Sequence, residues 1–180
     1  MRSTLAKTLV VSMSAALAAG CAQMRDMMAS PAKPTAIASL SPTTGNTARG
    51  TVSFTQDGDE VRVRANVAGL KPNAEHGFHV HEKGDCSSGD GMSTGGHYNP
   101  AGKPHGPPRA EHHAGDMPSL KADGYGNASA SFELKGVSIA GGAADLVGKG
   151  LIVHRDPDDY STQPTGNAGP RIACGVIAKS

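Results

Sequence analysis

The chain contains no tryptophan and only three phenylalanines and three tyrosines among 180 residues. Charge of one sign is equally lacking: 17 lysines and arginines face 16 aspartates and glutamates, for a net charge of +1 with histidine neutral. That balance removes the basic footprint expected of a nucleic-acid binder. Long apolar runs of helical period are scarce, and neither an internal repeat nor a coiled-coil pattern is present. Together with 24 glycines and 12 prolines, this points to an all-β, loop-rich fold. The length fits one domain behind a leader, large enough to bury a real core. What the chain does have is histidine, eight residues of it. In so aromatic-poor a chain that excess is not core filling, and neutral imidazole is the commonest protein metal ligand.

Cysteine is scarce as well, with three residues, and the first belongs to the leader. Arg2 and Lys7 precede an apolar stretch, Leu9 to Ala19, that ends in Ala18-Ala19-Gly20-Cys21. A basic start, a short apolar region and small residues before the cut describe a secretory signal, and the stretch is too short to span a bilayer. Small residues directly before Cys21 resemble the bacterial lipoprotein signal, so residues 1–20 are expected to be removed and Cys21 lipidated. Ala22 after that cysteine fits sorting to the outer membrane. Residues 21–46, rich in Ala, Met, Ser, Pro and Thr without usable periodicity, are expected to be a flexible tether, leaving 47–180 as the folded domain. With Cys21 lipidated, Cys86 and Cys174 remain, and an even pair in an exported protein implies a disulfide.

Within the domain, residues 51–54 and 61–67 predict a hairpin turned at Asp57-Gly58, because the second run alternates apolar and polar residues with period two. Residues 128–134 alternate in the same way, and 151–154 and 172–177 predict further short strands. Two long intervals, roughly 82–117 and 155–171, are dense in Gly, Pro, Asp and Ser. Loops of that length in a compact domain are usually functional.

The histidines fall in GFHVH (77–81), GGHYNP (95–100), KPHGPP (103–108), EHHAGD (111–116) and LIVH (151–154). In a strand, positions i and i+2 share a face, so His79 and His81 can converge on one ion, with Val80 in the core behind them. His154 ends another apolar strand and could supply a third ligand. Imidazoles without thiolate suit copper, although zinc also accepts them. His105, His113 and Asp116, with His97 upstream, make a plausible tetrahedral zinc set.

GFHVHEKGDC, GGHYNP, KPHGPP, HAGD, LIVHRDPDD and TGNAGPRIACGVI together resemble the bacterial copper/zinc superoxide dismutases, from about residue 47 to 180. The resemblance implies a flattened, eight-stranded antiparallel Greek-key β-barrel with long metal-binding and electrostatic loops. It implies dismutation of superoxide to oxygen and hydrogen peroxide by a copper that alternates between two oxidation states. His79, His81, His97 and His154 match the copper ligands, and His97, His105, His113 and Asp116 match the zinc ligands, so His97 bridges. Asp158 matches the carboxylate linking a copper ligand to a zinc ligand, Cys86 and Cys174 the intrasubunit disulfide, and Arg171 the guanidinium that holds the anion. His76 matches a hydrogen-bonding structural position, and His112 reads as a solvated side chain. Lys83, Lys103 or Arg155 could assist in steering, because residues 160–165 lack the lysine of eukaryotic relatives. The implied setting is the periplasm or cell envelope, lipid-anchored through Cys21, as monomer or homodimer. A copper carrier and a domain that has lost catalysis are the alternatives; both fit an intact ligand set less well.

Overall fold

Alternation builds this domain. In the computed structural model, which describes residues 32–180, strands β1 (Thr35–Pro42), β2 (Arg49–Asp57) and β3 (Glu60–Ala68) form an antiparallel meander. Every second side chain of β3 is buried, Val61, Val63, Ala65 and Val67, while Arg62 and Arg64 point away. The two-residue turn is Gly58-Asp59, one position later than the expected Asp57-Gly58, because Asp57 still pairs with Glu60; Gly58 supplies the left-handed residue with φ 64°. Strand β7 (Ala128–Lys135) pairs with β3 along its whole length. Two short strands, β4 (Glu75–His76) and β6 (Leu120–Lys121), pair separately.

The other half is shorter and more buried. β5 (Phe78–His81) pairs with β8 (Gly150–His154), and β8 with β9 (Arg171–Val176). β1 joins the halves: its first residues pair with β2 and with β10 (Ala178–Lys179), whereas Ser41 and Pro42 pair with Cys174 and Ala173 of β9. The strand order is therefore β5-β8-β9-β1-β2-β3-β7, an antiparallel sheet curled into a half-barrel around an aliphatic core. Phe54 and Phe78 are its fully buried aromatic rings. Among the described residues there is no α-helix, and the one helical turn is 3-10, Met92–Thr94. The all-β reading and each expected strand are borne out.

Part of the segment expected to be a tether is a strand. Residues 35–42 form β1, and their burial alternates, with Ala36, Ala38 and Leu40 inward. Three small-to-medium apolar side chains among Ser, Thr and Pro gave little contrast, and Ile37 on the outer face broke the alternation. The expected leader, Cys21 and the tether up to residue 31 lie outside the described residues.

The disulfide is present. Cys86 is bonded to Cys174 of β9, with Cα atoms 5.9 Å apart and a separation of 88 positions in sequence. It ties the loop after β5 to the sheet.

Candidate metal centre

β5 supplies two imidazoles because its strand period places His79 and His81 on one face while Val80 enters the core. On one side β5 pairs with β8; on the other its backbone is met by loop residues. Val80 receives Tyr98 N–H on its carbonyl at 2.8 Å and donates its own N–H to Gly115 O at 2.9 Å. This brings His97 opposite His81 and Asp116 opposite His79. The approach requires glycine at 115, since a Cβ there would collide with the Val80 carbonyl. β8 delivers His154 at its end, paired with Arg171 across a β-bulge.

Two donor sets result, each with its ligand atoms within 4.8 Å of one another: His79, His81, His97 and His154, and His97, His105, His113 and Asp116. All seven residues are buried. The sequence reading named these residues, and the fold brings together every one of them.

The nitrogens show how the rings are aimed. His79 Nε2 donates to Asp158 Oδ2 at 2.6 Å, His81 Nδ1 to Gly95 O at 3.0 Å, and His154 Nδ1 to Gly169 O at 2.9 Å. The opposite nitrogens, His79 Nδ1, His81 Nε2 and His154 Nε2, are buried without a hydrogen-bond partner, as is His97 Nε2. In the second set, His105 Nε2 donates to Asp158 Oδ1 at 2.9 Å, and Nδ1 of both His105 and His113 is buried without one. Buried unpaired polar atoms are costly and rare, and six that converge in two groups fit metal ions. In the second set, Asp116 oxygens lie 2.8, 3.0 and 3.3 Å from Nδ1 of His97, His105 and His113. Zinc bonds of about 2 Å in a tetrahedron give ligand–ligand edges of about 3.3 Å, which these separations approach.

Burial sets the charge of the rings. It holds the His79 and His81 imidazoles well below the ordinary histidine range, pushes His154 down to about 4, and lowers His113 as well. Neutral imidazole is the form a metal requires. The Asp116 carboxyl is raised by burial and lowered further by the His97 hydrogen bond and neighbouring imidazoles, with a net downward shift.

A family model described as copper/zinc superoxide dismutase (SODC) matches residues 48–177. The chain belongs to the copper/zinc superoxide dismutase family. A crystal structure described as that of the clock protein EA4 is similar to this chain, at 39% identity and TM-score 0.74, over 83% of this chain and 96% of that one. Family membership makes the chain an oxidoreductase of the superoxide dismutase type, and the family's copper and zinc fit the two donor sets.

As in the family pattern, Asp158 touches one ring of each set. Arg171 lies beside the first set; its Nη1 donates to Gly91 O at 2.6 Å and Thr94 Oγ1 at 2.9 Å, and its Nη2 to Gly95 O at 2.7 Å. Among the described residues Arg171 makes no ion pair, so its charge is fixed in place without a counter-carboxylate in contact. A cleft of about 290 Å³ is lined by Arg171 with Thr43, Asp90, Met92 and Pro170 among others. Of the other expected steering cations, Arg155 is bonded to Asp156, its Nη2 at 2.9 Å.

His76 sits outside both sets, donating from Nδ1 to the His154 carbonyl at 2.9 Å, as its structural reading required. His112 is also outside, but it is half-buried with Nδ1 bonded to the His113 carbonyl, not a solvated side chain. Sequence reasoning missed Gln163 and the carbonyls of Gly91 and Gly95. These contacts span 58 to 80 residues and leave no local signal.

Proposed function

We propose that the chain dismutates superoxide in the cell envelope, 2 O₂⁻ + 2 H⁺ giving O₂ + H₂O₂. The observation that carries this reading is the pairing of six buried imidazoles, each with a nitrogen turned into one of two adjoining sets, and His97 shared between them. Copper is assigned to His79 Nδ1, His81 Nε2, His97 Nε2 and His154 Nε2, an all-imidazole set suited to a redox ion. Zinc is assigned to Nδ1 of His97, His105 and His113 and to Asp116, a set suited to an ion without redox chemistry. Bound copper supplies the one-electron exchange that oxidises one superoxide and reduces a second.

The protein supplies position, charge and a proton site. Arg171 holds a fixed positive charge beside the first set and attracts a small anion, the electrostatic steering for which superoxide dismutases are a standing example. His97 has Nδ1 against Asp116 and Nε2 facing the first set. Nε2 is therefore the atom on which this ring can hold and hand over a proton while the second set keeps its grip. The complete first set together with an unpaired Arg171 supports catalysis over copper carriage.

The envelope setting rests on the leader pattern ending at Cys21 and on the Cys86–Cys174 bridge, since disulfides persist in oxidising compartments. Fatty-acid labelling of the protein, lost in Cys21→Ser, tests the anchor; labelling that survives the substitution refutes it.

The catalytic reading is tested by loading the protein with copper and zinc and following superoxide decay by pulse radiolysis. Turnover is expected, with a rate constant that falls as salt is added and falls further in Arg171→Ala. Stoichiometric copper binding without turnover would replace the enzyme with a carrier.

A further inference from the structure

We propose that Gln163 is a positioning residue for the second donor set, acting on the backbone of His105. The proposal rests on the metal assignment above. His105 lies in Lys103-Pro104-His105-Gly106-Pro107-Pro108, where three prolines remove the N–H groups a strand would need. No strand forms there, and no backbone–backbone hydrogen bond reaches His105. Yet His105 is only 3% exposed, so its own N–H and carbonyl require partners.

Gln163 provides both. Its Oε1 accepts from His105 N–H at 2.9 Å, and its Nε2 donates to His105 O at 2.8 Å. A side-chain amide placed this way reproduces the two bonds that one residue of an antiparallel pair would make. Glutamine can do this because it carries a donor and an acceptor on one planar group; glutamate of the same shape carries acceptors only.

The loop that carries Gln163 also carries Asp158, whose Oδ1 accepts a hydrogen bond from His105 Nε2. Backbone and ring of the same ligand are thus gripped by two residues five positions apart. With both ends held, Nδ1 of His105 is left pointing at Asp116, 3.0 Å away. Among the described residues the Gln163 amide hydrogen-bonds only the His105 backbone and Ser161 O, and no metal-facing atom, so its effect passes through His105. It is itself an exposed residue, so removing it opens no core cavity.

Gln163→Ala and Gln163→Glu are compared with the unaltered full chain, using chelator competition for zinc and for copper and cobalt(II) as a spectroscopic probe of the second set. Both variants are expected to hold zinc roughly 10-fold more weakly, the scale for loss of a group that orients a ligand. Copper affinity and the unfolding midpoint of the metal-free protein should stay as in the unaltered chain, while the cobalt bands shift. Zinc affinity unchanged in Gln163→Glu would overturn the donor–acceptor pairing. Equal loss of copper and zinc with a lowered midpoint would reduce Gln163 to general support and overturn the proposal. Failure of the unaltered chain to show tetrahedral cobalt bands would instead refute the metal assignment.

Discussion

Replacing Asp158 with asparagine tests the construction of the two sets at the point they share. Asp158 Oδ2 lies 2.6 Å from His79 Nε2 and Oδ1 lies 2.9 Å from His105 Nε2, with Tyr160 N–H donating to Oδ1 at 2.7 Å. Because Nδ1 of each ring is turned into a donor set and a carboxylate only accepts, each Nε2 carries the proton. A carboxylate accepts from both rings, whereas an amide has one accepting oxygen and one NH₂ group. In Asp158→Asn, one ring therefore meets a donor with a donor. It must move its proton to Nδ1, where a metal would bind, or swing away. A hydrogen bond to a charged group contributes about 1.5–3 kcal/mol, which corresponds to a loss of metal affinity of about 10- to 160-fold at one of the two sets. Chelator competition with each metal reads this directly. Unchanged affinity for both metals would show that the carboxylate does not fix the ring tautomers, and the argument would fall.

Gly166→Ala should damage the same bridge sterically, because φ there is +64° and a Cβ would run into Asp158 Oδ1 and reach 2.5 Å from His105 Nε2. Zinc affinity should fall by at least about 10-fold; normal zinc retention would refute the close approach. Cys174→Ser opens the loop closed across 88 residues, for which the chain-entropy model gives about 4–5 kcal/mol as an upper value. A urea titration showing less than about 1 kcal/mol would mean that the bridge does little to restrain the denatured chain. The buried imidazoles give the metal-free protein an acid-sensitive stability. The unfolded chain takes up protons below about 6.5, while burial keeps His154 from doing so until about 4. Stability is therefore intact above 6.5 and is lost as pH falls toward 4, by on the order of 3 kcal/mol for His154 alone. An unfolding midpoint that stays flat across that window would refute it.

The parts of the fold legible in the sequence were those with strong contrast. β3 alternates Val with Arg or Asn, and β7 alternates apolar residues with Ser and Glu, so period two is visible without the structure. The ligand residues were legible because they sit in short motifs whose spacing has a local cause. The His-x-Gly-Asp spacing of residues 113–116 has such a cause, a turn in which Asp116 N–H donates to His113 O and His113 N–H to Asp116 Oδ2. β1 escaped because alanine buries little and advertises less. Gln163, Gly91 and Gly95 escaped for another reason. Their function depends on which distant backbone they meet, and a carbonyl carries no residue-type signature.

These hidden contacts decide the chemistry as much as the ligands do. β5 and β8 fix where His79, His81 and His154 stand, and the loops decide which nitrogen of each ring faces inward. The carbonyl of Gly95 accepts a hydrogen bond from His81 Nδ1 and that of Gly169 accepts one from His154 Nδ1, which leaves both Nε2 atoms free. Asp158 does the reverse for His79 and His105, which leaves both Nδ1 atoms free. Gly95 also anchors Arg171, so one peptide orients both an imidazole of the first set and the Arg171 guanidinium. The disulfide at Cys86 holds the loop that carries this peptide to β9, where Arg171 begins the strand. A change that loosens residues 82–96 therefore disturbs ring tautomer and guanidinium together, although it touches no ligand of the second set.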